Sequence, residues 1–237
     1  MIPKEIVDEV RTHAAETDGR ESCGVIVLRK GKQYYRRCRN IAERNIDFEI
    51  HPDDYTEAED FGEVQYIVHS HHYQSPEPSQ TDLIFIERTQ KPWLIVNHPL
   101  GHYTITEPSG YVTPLEGRQF VHGVTDCLSI IQDYYKQELG ITLKDYKRPN
   151  EWWMQDGYDF YDEFHTECGF HKIQFDQAKT GDVIVMKLGS KKNNHAAIYL
   201  GDSKILHHCT NRLSCKDIYG GYWMNITSYV LRHKDVK

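Results

Sequence analysis

The sequence predicts an α+β protein of two domains, and three observations lead to that expectation. Each half opens on a segment with apolar residues at helical spacing and continues into short apolar runs of strand length. Charge is split unevenly: residues 1–117 carry 12 Lys and Arg against 20 Asp and Glu (net −8), and residues 118–237 carry 16 against 15 (net +1). Between the halves, EPSGYVTPLEG holds two prolines and two glycines and no apolar periodicity, which reads as a linker. The expected organisation is therefore a domain over 1–106, a linker over 107–117 and a domain over 118–237. At 237 residues the chain is long enough for each part to bury a core.

The elements follow in order. The first half predicts a helix over 3–16, strands over 24–28, 33–39 and 47–50, and an acidic helix over 52–62. A short apolar strand over 66–70 runs directly into histidines. Ser79 reads as the N-cap of a helix through Ile86, and strands over 93–97 and 102–106 complete a sheet. The second half begins with a helix over 126–139, whose Leu128, Ile131, Tyr135 and Leu139 recur at helical spacing. A loop-rich stretch, EWWMQDGYDFYDEF, precedes strands over 182–187, 195–200, 204–208 and 228–232. Its aromatic residues are expected in the core, with a substrate groove as the other reading.

Composition excludes several classes. Neither half has the basic surplus of a nucleic-acid binder. No apolar run approaches the roughly 18 residues of a membrane span, so none is expected. MIPKEIVDEVRTHAAE lacks an apolar h-region, so no secretory signal is expected, and the six cysteines are expected to stay reduced. They form no CxxC pair, which argues against a cysteine-rich zinc knot.

His69 and His71 sit two apart at a strand end, so both imidazoles project from one face, a natural pair of zinc ligands. Asp82 lies eleven residues beyond His71, in the first turn of the next helix, and a strand-to-helix reversal brings its carboxylate back to the same ion. Three protein ligands leave a fourth position open for water. Taken alone, an HxH pair is more often surface or hydrogen-bonded, Ser79-x-x-Asp82 also reads as an N-cap with an acid in the first turn, and His72 competes as a ligand. Together, His69-Ser70-His71, seven residues, Ser79, two residues and Asp82 reproduce the pattern of the JAMM (Mov34/MPN) zinc peptidases, which residues 1–106 resemble. Upstream, Glu21-Ser22-Cys23-Gly24 resembles that family's glutamate-bearing segment. The resemblance implies a mixed sheet with helices, one zinc ion held by His69, His71 and Asp82, Glu21 as general base, and Ser79 as donor to the oxyanion.

In the second half, Cys127 opens a helix, where partial positive charge and free N–H groups favour a thiolate. A nucleophilic thiol needs an imidazole and a third group to orient it. His195 opens HAAIYLG, and the turn at 201–203 returns the chain into KILHHC, so strand parity lets one of His207 and His208 face His195. Free cysteine is more commonly a small buried hydrophobe, and the HHC cluster with Cys215 also reads as an incidental metal site. Asp126-Cys127-x-Ser129 with Asn194-His195-Ala-Ala-Ile-Tyr-Leu-Gly resembles the NlpC/P60 cysteine peptidases over 118–237. That resemblance implies a papain-like α+β domain, with Cys127 as nucleophile, His195 as base and His207 as orienting residue. It also implies cleavage of peptidoglycan stem peptides. DCLS departs from the family's usual DCSG, and the aromatic insertion is unlike a minimal peptidase.

The fusion of the two resembles the tail tip assembly proteins of lambda-type phages. This implies a double hydrolase at the virion tail tip, made in the host cytoplasm and acting in the host periplasm on peptidoglycan during DNA entry. Its implied partners are peptidoglycan and other phage tail tip proteins, with no nucleic-acid specificity and no membrane span. A tail tip assembly component with partly vestigial sites is the alternative. An isopeptidase acting on ubiquitin-like tags is a further one, for which no partner-binding insertion is evident. The substrate of the zinc half stays open: cell wall, a tail protein or the chain's own linker.

Overall fold

In the computed structural model, which describes residues 1–17, 19–146, 148–149, 151–155 and 159–236, strand β1 (Cys23–Arg29) reads as an almost unbroken apolar run because both its faces are covered. The first of two units, residues 1–112, opens on helix α1 (Lys4–Glu16) and continues through β1, β2 (Lys32–Cys38), α2 (Pro52–Phe61), β3 (Glu63–His72), α3 (Gln80–Thr89), β4 (Trp93–His98) and β5 (Tyr103–Thr106). The sheet order is β2-β1-β3-β4-β5. It is mixed: β3 and β4 run parallel, and the other pairs antiparallel.

Strand parity sorts the side chains into two cores. Ile26, Val68, Leu94 and Val96 pack against Ile6, Val7, Val10 and Ala14 of α1. Val25, Val27, Ile67 and Trp93 face the other way, onto Ala58 of α2 and Ile86 of α3. Residues 69 and 71 share the parity of Ile67, so β3 carries them out on the α2/α3 face. At Gly24, a Cβ would lie 2.4 Å from the Arg36 carbonyl oxygen, so only glycine lets β2 close over β1 there.

The second unit, residues 113–237, contains α4 (Cys127–Glu138), α5 (Phe160–Phe164), β6 (Phe170–Ile173), β7 (Val183–Met186), β8 (His195–Gly201), β9 (Lys204–His207), β10 (Cys215–Ile218), α6 (Tyr222–Asn225) and β11 (Thr227–His233). All pairs in its β10-β9-β8-β7-β11-β6 sheet are antiparallel. Ile130, Ile131, Tyr134 and Tyr135 of α4 pack on Val183, Val185, Ala196 and Ile198. Of the aromatic stretch, Trp152, Phe160 and Tyr161 join that core, while residues 156–158 lie outside the described ones. The opposite face holds Ile184, Met186, Ala197 and Ile205. Each unit is thus an α+β assembly, as the alternation of patterns predicts.

The division between units falls after Val112. Backbone N–H groups of Ser109 and Tyr111 donate to Glu87 in the first unit. The carbonyls of Thr113 and Leu115 accept from Arg118 and Ser214 in the second. All six cysteines are free thiols.

One predicted strand does not form. Residues 47–50 make a single bridge, Asn40 with Ile50. The Asn40 side chain takes the bonds a ladder would make: it donates to the Asp47 carbonyl and accepts from the Glu49 and Ala42 N–H groups. Two strands escape sequence reading, β6 and β10. Both are four residues long, half polar and at sheet edges, too short to show a strand period in the sequence.

Candidate active sites

The N-terminal constellation starts from β3. His69 Nε2 lies 3.0 Å from His71 Nε2. The first turn of α3 returns Asp82, whose Oδ1 is 3.4 Å from His69 Nε2 and whose Oδ2 is 3.3 Å from His71 Nε2. A capping box sets that carboxylate: Ser79 Oγ accepts from the Asp82 N–H at 3.1 Å, and Asp82 Oδ2 accepts from the Ser79 N–H at 2.7 Å. The N-cap reading and the ligand reading are therefore one geometry, because capping is what turns Asp82 toward β3. His71 Nδ1 donates to the Ser75 carbonyl at 2.6 Å, which aims its Nε2 at the group. His69 is fully buried, stacked on Phe48 at 4.4 Å and against the edge of Trp93. His72 faces the other way, its Nε2 3.3 Å from Ser70 Oγ, outside the cluster.

A tetrahedral zinc with ordinary bond lengths separates two nitrogen or oxygen ligands by about 3.3 Å. One donor atom from each of His69, His71 and Asp82 lies within 4.8 Å of the others, with the two imidazole nitrogens 3.0 Å apart, so the donor set is compatible with a metal ion. Glu21 stands just ahead of β1, whose Cys23 pairs with His69. Its N–H donates to the Asn45 carbonyl, and its own carbonyl accepts from Asn40. Burial pushes the Glu21 carboxyl up to about 8, opposed by the charge of His71. Burial pulls His69 down to about 4. Burial also opposes ionisation of Asp82, but hydrogen bonds from His71 and Ser79 and the charge of His69 hold it at about 2. For His71, burial is outweighed by its bonds to Asp82 and the Ser75 carbonyl, and the ring is held above the usual histidine range. One wall of an open cleft of about 490 Å³ includes Glu21, together with Arg20, Arg36 and Arg37.

In the second unit, a capping box starts α4. Asp126 accepts from the Leu128 and Ser129 N–H groups, and Ser129 Oγ accepts from the Asp126 N–H. The Asp126 carboxylate is buried against Arg148 at 2.8 Å. Cys127 Sγ lies 3.4 Å from Tyr161 Oη and 4.0 Å from the Asn194 carbonyl, beside the backbone that leads into His195.

The His195 ring is turned to other partners. Its Nε2 lies 3.1 Å from His207 Nδ1, while His207 Nε2 lies 3.2 Å from Asp217 Oδ2. A carboxylate only accepts, so His207 Nε2 carries a hydrogen. Burial keeps His207 below the usual histidine range, and in the neutral ring Nδ1 is then bare. It accepts from His195 Nε2–H, which leaves His195 Nδ1 as the basic nitrogen. His208, of opposite parity, packs on Phe120 instead.

The structure thus brings His195 and His207 together and sets Cys127 beside the backbone of His195 rather than in hydrogen-bond contact with its ring. The helix N-terminus does not yield a resting thiolate, contrary to the sequence expectation. Burial, reinforced by the charge of Asp126, pushes the Cys127 thiol up to about 11. Burial likewise pulls His195 down to about 3, so both groups rest neutral. Sequence reasoning missed Asp217 and Tyr161; Cys209, part of the HHC cluster, stands with its Sγ 3.7 Å from His195 Nε2. Cys209 and His207 share a parity two residues apart; Asp217 sits in the four-residue edge strand β10 and carried no signal.

The fold and these sites define a prokaryotic JAB-type domain joined to an NlpC/P60 domain. The model of prokaryotic homologs of the JAB domain matches residues 3–107, and that of the NlpC/P60 family matches residues 117–232. Over 234 residues the chain is 39% identical to "Tail tip assembly protein K" of Escherichia phage N15, covering 98% of this chain and 95% of that protein. It is 34% identical over 183 residues to "Tail tip assembly protein K" of Escherichia phage lambda, covering 77% and 88%. The chain belongs to the tail tip assembly protein K family of phage tail proteins. Among solved structures, the non-catalytic NlpC/p60 domain protein RipD of Mycobacterium tuberculosis aligns at 20% identity with a TM-score of 0.30, covering 46% of this chain and 67% of that one. No helix among the described residues is long and apolar enough to cross a membrane.

Proposed function

We propose that this tail tip protein is a double hydrolase whose C-terminal unit cuts peptidoglycan stem peptides during DNA entry. The observation that carries the reading is the ordered chain Asp217–His207–His195, which leaves one bare imidazole nitrogen on a ring flanked by backbone that Cys127 touches. Because both groups rest neutral, His195 Nδ1 takes the thiol proton as sulfur attacks the scissile carbonyl. The resulting imidazolium is stabilised through His207 and Asp217 and gives its proton to the leaving amine. Water then hydrolyses the thioester, with His195 again as base.

In the N-terminal unit, His69, His71 and Asp82 would hold one zinc ion and Glu21 would serve as general base. Zinc bound there supplies a Lewis acid and lowers the pKa of water toward about 7. The Glu21 carboxylate would take a proton from the attacking water and pass it to the leaving amine. The Ser79 hydroxyl accepts from Asp82 N–H, so its own hydrogen is free for the oxyanion. The reaction class is amide or isopeptide hydrolysis. The tail tip delivers both centres to the host periplasm, where peptidoglycan and neighbouring tail proteins are the partners.

A structural tail tip role with partly vestigial sites is the second reading. The contact of Cys127 with Tyr161, rather than with the His195 ring, favours it. Digestion of Gram-negative peptidoglycan with the purified full chain separates the two. Release of soluble muropeptides that is lost in Cys127→Ala supports the enzyme; release retained in that variant removes the nucleophile assignment, and none from the wild type supports the structural role.

A further inference from the structure

We propose that His195, His207 and Cys209 form a second metal site, in the C-terminal unit, and that a thiophilic divalent ion of the zinc class bound there switches the thiol peptidase off. All three residues are buried, and one donor atom from each lies within 4.8 Å of the others. The spacings are 3.1 Å between His195 Nε2 and His207 Nδ1, 3.5 Å between His207 Nδ1 and Cys209 Sγ, and 3.7 Å between His195 Nε2 and Cys209 Sγ. A tetrahedral zinc separates two imidazole nitrogens by about 3.3 Å, and nitrogen from thiolate sulfur by about 3.6 Å. The three atoms therefore outline one face of a zinc tetrahedron with no rearrangement, from a donor set of two imidazoles and a thiol that suits borderline-soft ions.

The surroundings fit a ligand site. His207 donates its Nε2 hydrogen to Asp217 at 3.2 Å, the carboxylate–histidine support that fixes a metal-binding tautomer. The ring of Trp223 walls in both imidazoles, at 4.6 Å from His207 and 6.1 Å from His195. A neighbouring group, His207, Cys215 and Asp217, has comparable donors. There a guanidinium already supplies the positive charge: Arg212 lies 3.0 Å from Cys215 Sγ and 3.2 Å from Asp217 Oδ2. Cys209 faces imidazole nitrogens instead.

Occupancy and proton relay exclude each other. An ion at His195 Nε2 takes the lone pair of that nitrogen, so the ring hydrogen must sit on Nδ1. Nδ1 then has nothing with which to accept the proton of Cys127. The Cys209 thiol proton leaves to solvent as the thiolate binds, and no oxidation occurs. The metal site stands on its own geometry; its inhibitory effect rests on the peptidase reading above.

Cobalt(II) titration of the full chain, stripped of metal by a chelator, tests the site. A thiolate bound to cobalt gives a near-ultraviolet charge-transfer band, and the His69–His71–Asp82 group has no sulfur to produce one. The expected result is a saturable band, retained in Cys127→Ala and lost in Cys209→Ser. No band in the wild type, or a band retained in Cys209→Ser, overturns the site. For inhibition, muropeptide release by the wild type should fall at least tenfold with equimolar excess zinc and return with chelator, while Cys209→Ser stays active in both conditions. Equal zinc sensitivity of wild type and Cys209→Ser overturns the switch. A cobalt band in a protein inactive without metal supports the site and overturns the peptidase reading.

Discussion

His195 Nε2 lies 3.1 Å from His207 Nδ1, and the Asp217 carboxylate on the far side of His207 settles which ring donates. A third polar group is thus joined by a fourth, one strand further out. Asp217 is about one-third exposed, so its effect is on orientation more than on charge. Asp217→Asn should lower kcat on the order of tenfold, a fraction of the gain expected of a positioned base, with KM unchanged. Steady-state kinetics on a stem-peptide substrate measure it, and recovery in Asp217→Glu separates orientation from loss of fold.

Tyr161 Oη lies 3.4 Å from the Cys127 sulfur, and its hydroxyl stabilises the thiolate when that forms. Removing a hydrogen bond to a charged group costs about 1.5–3 kcal/mol. Tyr161→Phe should therefore slow alkylation of Cys127 roughly tenfold at fixed pH, read by mass spectrometry of the Cys127 peptide. An unchanged rate would show that the hydroxyl serves packing alone.

These two residues mark where sequence reading ended. Motif spacing located His69, His71 and Asp82 because strand parity and the turn into α3 are local matters, decided within fourteen residues. The same holds for the helix at Cys127, read from the helical spacing of Leu128, Ile131 and Tyr135. Tyr161 and Asp217 reach the thiol unit through packing of segments 34 residues beyond Cys127 and 10 beyond His207, with no pattern in between. Residues 47–50 mislead for a related reason: their apolar alternation is real, but one amide side chain, Asn40, outcompetes the ladder. The resting charge of Cys127 was out of reach too, because burial, not helix position, decides it.

The buried Arg148–Asp126 pair holds the start of α4, each side chain 4% exposed or less. Burial raises the Asp126 carboxyl, but the charge of Arg148 and the Ser129 and Gly123 N–H groups more than offset this and hold it below its ordinary 3.8. A depressed carboxyl contributes stability that is present above its unfolded value and lost as pH falls through the folded one. Arg148→Met leaves the carboxylate buried and unpaired, at a cost of about 3–5 kcal/mol at pH 7. Urea unfolding at pH 7 and at pH 4 should show the deficit shrinking at the lower pH, where the unpaired carboxyl takes up a proton. A deficit independent of pH would mean that Arg148 acts through its packing.

Metal at the His69–His71–Asp82 group should stabilise the folded chain by mass action, by about 2.7 kcal/mol at a hundredfold excess over Kd. Chelation should then lower the melting temperature of the N-terminal transition by about 10 °C. Metal analysis should find one zinc fewer per chain in His69→Ala/His71→Ala, whose melting no longer responds to chelator. A zinc-replete protein that carries no ion and melts unchanged with chelator would contradict the metal reading.

The central claim is that two independent hydrolytic centres share this tail tip chain. Muropeptide mass spectrometry with wild type, Glu21→Gln and Cys127→Ala side by side tests it most directly. The account predicts that Cys127→Ala removes the stem-peptide products, while Glu21→Gln leaves those products intact and removes only products of a separate amide cleavage. An identical product spectrum from all three proteins would contradict it.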